Sequence, residues 1–166
     1  EEFTQAAAAI ARGRDALDTL TSAILAAARA AWPGRWAEIV PRPVILSSWV
    51  GYDTDGRTDI AWWDTLRLRL RMKLFQLERL HAQVAPLATP HAPALATRLA
   101  EAAAEVRAQI EACPIGTAAE RDAVSTFARA LVGGRDAAIH DPATLDTLFA
   151  AAIATAEATA TGSTGF

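Results

Sequence analysis

Apolar residues recur every seven positions through the N-terminal part of the chain. The row consists of Phe3, Ile10, Leu17, Ile24 and Ala31. This spacing is typical of an α-helix with one narrow apolar seam. A helix is predicted over residues 4–32, and Pro33 and Gly34 end it because neither continues a helix comfortably.

The remaining sequence also favours helices. About a quarter of the 166 residues are alanine, the residue with the highest helix propensity. Apolar rows and Pro or Gly boundaries predict further helices over residues 60–84, 90–113, 117–133 and 142–160. Residues 33–50 are predicted as a linker that ends in one short strand at residues 44–50, a stretch rich in β-branched and aromatic residues. The sequence therefore predicts a mainly α fold, with about five helices and one short strand in a single segment over residues 1–166.

Charge and cysteine content narrow the function classes. The formal net charge is −3, from 16 basic and 19 acidic residues, so no nucleic-acid partner is expected. Cys113 is the single cysteine, which excludes a disulfide framework within one chain and fits a cytoplasmic location. No apolar run is long enough to span a bilayer, so no membrane partner is expected. The first residues, EEFTQ, lack a methionine, which suggests a piece of a longer polypeptide.

The sequence offers no recognisable catalytic set and no metal-ligand set. His81, His91 and His140 do not share a ligand-like spacing, and no G-x-S-x-G motif is present. We therefore assign no catalytic residue and no metal ligand to this chain.

An Asp-rich loop over residues 51–59 interrupts the helical pattern, and it allows two readings from the residues alone. It can be a turn in which Thr58 or Asp59 caps the following helix. It also resembles the calcium loops of integrin-type propeller repeats. Gly51 stands where such a loop has its first carboxylate, which leaves three aspartates: Asp53, Asp55 and Asp59. Calcium prefers six to eight oxygen ligands, and an alanine-rich helical chain does not supply the repeated strands of a propeller.

A third interpretation comes from a family resemblance. The segment PVILSSWVGYDTDGRTD, residues 43–59, resembles the phosphoenolpyruvate carboxylase motif P-V-R-F-x-S-W-M-G-G-D-R-D-G-N-P. The matching positions are Pro43, Val44, Ser48, Trp49, Gly51, Asp53, Asp55 and Gly56. In that family a long helix and a Pro-containing linker precede the motif, and a long helix bearing Arg and Leu follows it.

The resemblance implies a parent enzyme larger than this chain. These carboxylases are cytosolic homo-oligomeric lyases built on a β/α barrel with many extra helices. They join bicarbonate to phosphoenolpyruvate, giving oxaloacetate and phosphate, with magnesium or manganese. The chain would be an internal helical segment whose main partner is the remainder of the parent, with no metal bound by the segment itself. The parent would bind phosphoenolpyruvate and bicarbonate, and the segment alone would be inactive.

By the same resemblance, residues 44–50 would be a barrel strand with the Asp-rich loop at its carboxyl end, where barrel active sites lie. Four residues would contribute to the active-site rim: Trp49, Asp53, Asp55 and Arg57. Gly51 and Gly56 would shape the loop.

Departures from the motif keep other functions open. The family's second glycine is Tyr52 here, and its arginine between the two aspartates is Thr54. Losing that arginine removes a cation that could pair with the aspartates or with an anionic ligand. The alternatives are a non-catalytic helical module that packs against its parent or a partner, and the calcium-binding loop on a helical scaffold.

Overall fold

The computed structural model describes residues 2–51, 59–114 and 121–132, together with residues 137, 139, 141, 143, 145–151 and 153. Most of these residues are helical, which confirms the prediction of a mainly α fold. The sequence predicts one segment over residues 1–166, whereas the chain folds as two compact units, Glu1–Ile60 and Ala61–Phe166. We describe each unit by itself.

The first unit is dominated by helix α1, Glu2–Ala31, which lies close to the predicted range 4–32. The less exposed stripe of α1 follows Leu17, Thr21, Ile24 and Ala28, whereas Leu20 is 44% exposed. An α-helix has 3.6 residues per turn, so a strict seven-residue row drifts by about 20° per heptad around its surface. The covered stripe therefore departs from the predicted row toward the C-terminal end of α1. Ala28 is the one fully buried hydrophobic residue among the described residues of this unit.

A tight turn and a short 3₁₀-helix, Trp36–Glu38, follow α1. The Trp32 N–H still donates to the Ala28 carbonyl at 2.7 Å, which adds a last turn to the helix. The Arg29 guanidinium lies 5.5 Å from the centre of the Trp36 ring, a cation–π contact that joins the helix to the turn.

The predicted strand over residues 44–50 is not formed. These residues are neither helix nor strand, and the first unit contains no strand in the part of the chain that the structure describes. A strand requires backbone pairing with a neighbour. No backbone hydrogen bond joins residues 44–49 to another described segment. The prediction of a strand here is wrong, because β-propensity alone supplies no pairing partner.

The second unit is built from α2, Trp62–Val84, α3, Ala92–Ala112, and α4, Arg121–Val132. Residues 145–151 are also helical. The predicted ranges were 60–84, 90–113, 117–133 and 142–160; residues 115–120 and 154–160 lie outside the described residues. The end of α3 at Cys113 lies near Asp64 and Arg67 in the first turns of α2, so the two helices pack antiparallel.

The core of the second unit lies between α2 and α3 and extends to α4. Seven-residue spacing predicts an apolar row on α2 formed by Trp63, Leu70, Leu77 and Val84. The last three are buried, and Trp63 is partly buried against the core. From α3 the fully buried side chains are Leu95, Leu99 and Val106. Ala102 and Ala103 are buried as well, and such small side chains let two helix backbones approach closely. Phe127 of α4 completes the cluster.

Candidate functional site

Six residues are assigned to the active-site rim or to the shape of the loop, and the structure describes two of them. Trp49 and Gly51 belong to the described part of the first unit. Asp53, Asp55, Gly56 and Arg57 lie outside the described residues. The candidate site is therefore built here from residues 44–51, and from the start of α2 taken separately.

Residues 45–50 alternate in exposure as a strand with one covered face does. Ile45, Ser47 and Trp49 are exposed, whereas the residues between them are partly covered. We call Ile45, Ser47 and Trp49 the outer face. Its two apolar members are strongly exposed, Ile45 to 91% and Trp49 to 82%. Alternation with a period of two is the pattern of an extended chain lying on a surface.

The surface beneath this segment is α1. Leu46 approaches the helix at Gly13, where a Cβ atom added to the glycine would lie only 3.0 Å from Leu46 Cδ1. The glycine interrupts a good helical sequence at a cost of about 1 kcal/mol relative to alanine. In return the leucine side chain comes close to the helix backbone. This contact positions residues 45–50 along α1.

A turn ends the segment at Gly51. Gly51 is buried and has φ of 81°, a left-handed conformation that residues with a Cβ rarely adopt. The Val50 N–H donates to Ser48 Oγ at 3.2 Å, which satisfies a backbone donor just before the turn. The prediction that Gly51 has a structural role agrees with this geometry. Trp49 precedes the turn with its ring exposed.

The start of α2 differs from the predicted cap. Ala61 is the N-cap residue, with φ −96° and ψ 164°, and it makes no side-chain cap hydrogen bond. The Asp64 carboxylate accepts a hydrogen bond from the Ala61 N–H at 3.0 Å, which is the N3 half of a capping box. The prediction that Thr58 or Asp59 caps this helix is wrong, because α2 begins at Trp62. Asp59 is exposed outside the helix, and Thr58 lies outside the described residues.

Sequence reasoning missed a polar cluster at the open end of the α2–α3 pair. Burial raises the pKa of the Cys113 thiol above its ordinary value of 9.0; the nearby Arg67 cation acts to lower this pKa and Asp64 acts to raise it. Arg67 Nε is buried and has no hydrogen-bond partner among the described residues. A thiol with a raised pKa stays protonated at neutral pH and is a weak nucleophile. The short connection between α2 and α3 is the sequence signal that could have found this cluster. It favours an antiparallel helix pair, and such a pair places Cys113 near Arg67.

Neither a metal-binding group nor a membrane-spanning helix is found among the described residues. No three His, Cys, Asp or Glu side chains converge there in a way that could hold a metal ion. The carboxylase resemblance implies that magnesium or manganese is held by the remainder of the parent protein, and we derive no step through a metal. None of the described helices has the length and apolar character needed to cross a bilayer.

Comparisons with protein-family models, curated proteins and solved structures give no match to this chain.

Proposed function

We propose that this chain is a divergent segment of a phosphoenolpyruvate carboxylase-like protein, in which residues 44–50 serve as one strand of a larger β/α barrel. Two independent observations support the proposal. Residues 43–56 match the family motif at eight positions in one register. Residues 45–50, which belong to this match, form a non-helical stretch of the first unit whose exposed face carries two apolar side chains, Ile45 and Trp49.

The observation that carries the proposal is the two-sided environment of this stretch. Its inner side lies on α1 through Leu46 and Gly13. Its outer side exposes Ile45 and Trp49. Apart from the Val50 N–H, which donates to Ser48 Oγ, its backbone has no hydrogen-bond partner among the described residues. A barrel strand has the same requirements, because a helix covers one face, the barrel interior covers the other, and neighbouring strands pair with both edges. The parent protein would supply the missing strands.

In this proposal the motif residues act by position and charge. Trp49 would stand on the barrel-facing side near the carboxyl end of the strand, where barrel active sites lie. Asp53, Asp55 and Arg57 would follow at the rim. The metal and the acid–base groups that turn phosphoenolpyruvate and bicarbonate into oxaloacetate and phosphate would come from the remainder of the parent.

The test uses the parent protein. Its coding sequence should contain a T-A-H-P-T motif before this segment and glycine- and arginine-rich motifs after it. The purified parent should form oxaloacetate only when bicarbonate is present. The oxaloacetate is measured by coupling its formation to NADH oxidation by added malate dehydrogenase. Trp49→Ala should lower turnover by at least about tenfold, the loss of roughly 1.4 kcal/mol of transition-state stabilisation. Trp32→Ala is the matched control, since Trp32 is also exposed, to 59%, in the same unit, and lies outside the motif.

A parent without those motifs and without bicarbonate-dependent oxaloacetate would refute the proposal. Equal losses in Trp49→Ala and Trp32→Ala would remove Trp49 from the rim. The 166-residue chain by itself should give no oxaloacetate above a control without protein, with magnesium and bicarbonate present, since the groups for chemistry lie elsewhere in the parent. Activity in the isolated chain would show that the roles are assigned wrongly.

The exposed apolar residues also favour a second candidate, a non-catalytic packing module. Five large apolar side chains of the first unit are exposed: Trp32, Val40, Val44, Ile45 and Trp49. Exposed apolar surface of this amount favours an interface with another part of the parent or with a partner. Both candidates predict that Trp49 becomes protected from solvent in the parent. Only the carboxylase predicts a loss of turnover when Trp49 is replaced, so the parent assay separates them.

A further inference from the structure

We propose that a second copy of this chain pairs with residues 44–50 as an antiparallel strand, in a two-fold symmetric register centred on Ser47. The inference concerns the 166-residue chain by itself. It does not depend on the carboxylase relationship, because it uses only the exposed face and the backbone of this segment.

The backbone of the segment is available for pairing. Apart from the bond between Val50 N–H and Ser48 Oγ, residues 44–50 have no hydrogen bond within the described part of the chain. Extended segments with unpaired N–H and C=O groups act as templates for another strand. The Leu46 side chain lies against α1 at Gly13, so pairing at an edge does not require the helix to move.

The two ends of the segment fix its length. Pro43 has no N–H to donate and cannot extend the ladder. Gly51, with φ of 81°, turns the chain out of the extended direction. The pairing stretch therefore runs from residue 44 to residue 50, and Ser47 is its midpoint.

The outer face is self-complementary about that midpoint. In the register centred on Ser47, Ile45 lies opposite Trp49 of the second copy and Ser47 lies opposite Ser47. An aromatic residue opposite a β-branched one is a favourable cross-strand pair. Residues 43–51 carry no charged side chain, so two copies meet without like-charge repulsion. These features favour a second copy over a strand of unrelated sequence, which would have to match the length and both apolar positions by chance.

The expected complex is weak. A pair of seven-residue strands covers much less than the roughly 1,200 Å² of a stable interface, and two isolated strands are marginally stable in water. Association should therefore appear as a concentration-dependent shift in sedimentation, with half-dimerisation on the order of 100 μM protein. Trp49→Lys and Ile45→Lys should abolish the shift. Val132→Lys is the matched control, because Val132 is 83% exposed but belongs to α4, and this variant should associate as the parent chain does.

The register is tested by disulfide formation in a Cys113→Ala background, with oxidised glutathione as the electron acceptor. Ser47→Cys should cross-link with itself, since directly opposed residues of antiparallel strands have Cα atoms about 4.5–5.5 Å apart, within disulfide range. The control is Ala9→Cys, an exposed site on α1. Ser47→Cys should form its disulfide at least about tenfold faster than this control, because strand pairing raises the effective thiol concentration toward millimolar. Ile45→Cys alone should not cross-link, since its two copies lie roughly 13 Å apart along the strands. A mixture of Ile45→Cys and Trp49→Cys should cross-link as a heterodimer.

Far-UV circular dichroism of each variant checks that the helices are intact. The proposal is overturned if the chain stays monomeric at millimolar concentration, or if Ser47→Cys cross-links no faster than Ala9→Cys. Dimers in which Ile45→Cys links to itself would also overturn it, since they require a different register. Dimers that survive Trp49→Lys would place the interface on another surface.

Discussion

At the scale of single residues, the close approach of Leu46 to Gly13 joins the candidate site to the helix beneath it. A Cβ atom at residue 13 would lie 3.0 Å from Leu46 Cδ1, which is closer than ordinary van der Waals contact. The leucine methyl lies at the end of a flexible side chain, so it can move aside at a modest cost. Replacing Gly13 by alanine therefore has two opposing effects of similar size: a gain in helix propensity and the cost of displacing Leu46.

We expect Gly13→Ala to leave stability nearly unchanged. Alanine gains about 1 kcal/mol of helix propensity, and moving Leu46 off its preferred rotamer costs about 0.5–1.5 kcal/mol. In a Leu46→Ala background, where nothing crowds residue 13, the same substitution should stabilise by about 1 kcal/mol. The coupling is measured in residues 1–60, as the helix content at 222 nm against urea for the four proteins of this cycle. Equal effects of Gly13→Ala in both backgrounds would show that the two residues do not interact.

Cys113 should make stability depend on pH in the alkaline range. Burial raises the pKa of this thiol in the folded state, so the folded protein holds the thiol proton more tightly than the unfolded chain does. The resulting stability is fully present below the ordinary pKa of 9.0 and is lost as pH rises through the folded-state value. The unfolding free energy of the parent chain minus that of Cys113→Ala should thus be constant up to about pH 9 and fall above it.

The comparison with Cys113→Ala removes the contribution of other groups that titrate at high pH. Dithionitrobenzoate at pH 7 should also react with Cys113 more slowly than with the unfolded chain, because the thiol is buried and protonated. A stability difference that rises with pH would contradict the assigned direction of the pKa shift.

At the scale of elements, the spacing of apolar residues predicts where the helices lie. It does not predict which residue caps a helix. The row Leu70, Leu77 and Val84 was predicted from spacing alone and is buried, because hydrophobic burial follows the helical period wherever a partner helix exists. The start of α2 was predicted too early, since several Asp and Thr residues compete as caps before Trp62. Local chemistry cannot choose among them, and the choice is set by where the helix meets its packing partner.

The incomplete cap of α2 allows a stabilising substitution. Ala61 has the extended conformation of an N-cap residue but lacks a side-chain acceptor, while Asp64 already forms the other half of a capping box. We expect Ala61→Ser to stabilise the second unit by about 1 kcal/mol, because its hydroxyl can accept from the Trp63 N–H at position N2. The Asp64 N–H already donates to the Ala61 carbonyl at 3.0 Å. Ala61→Val, which offers no acceptor, is the control. Thermal unfolding checks the order Ser above Ala above Val, and no gain with Ser would mean that water already satisfies the Trp63 N–H fully.

At the scale of the whole chain, the two units differ in how much core each holds. Every buried member of the main hydrophobic cluster belongs to the second unit. In the described part of the first unit, Ala28 is the one fully buried hydrophobic residue. The sequence did not reveal this contrast, because both halves are rich in apolar residues and a heptad row looks the same whether or not a partner covers it.

We expect residues 61–166 to fold alone. Their core includes Leu95 and Leu99, both fully buried, and burying each such side chain contributes about 1.5–3 kcal/mol. Circular dichroism at 222 nm should show a cooperative thermal transition for residues 61–166. For residues 1–60 it should show a gradual loss of helix, since a 30-residue helix without a core melts in a non-cooperative way. A sharp thermal transition for residues 1–60 would contradict this prediction, because it would require a larger hydrophobic core than the buried residues of the first unit provide.

The candidate site was predictable only in part, for a physical reason. The resemblance to the carboxylase motif assigned Gly51 a role in shaping the loop, and this residue lies in a turn with φ of 81°. The exposure of Ile45 and Trp49 was not predictable, since β-branched and aromatic residues favour strands only where neighbouring strands are available. The amino-acid composition of a segment gives its strand propensity. Whether a strand forms depends on whether another strand lies beside it.

The antiparallel pairing of α2 with α3 has a consequence for how the chain reaches its native state. The two helices are neighbours in sequence, joined by residues 85–91 alone, so closing this loop costs little chain entropy. Contacts between near neighbours form early, and proteins rich in them fold quickly. The α2–α3 hairpin should therefore be the nucleus of the second unit. Amide hydrogens of Leu95 and Leu99 should then be the first to become protected in a pulse-labelling experiment.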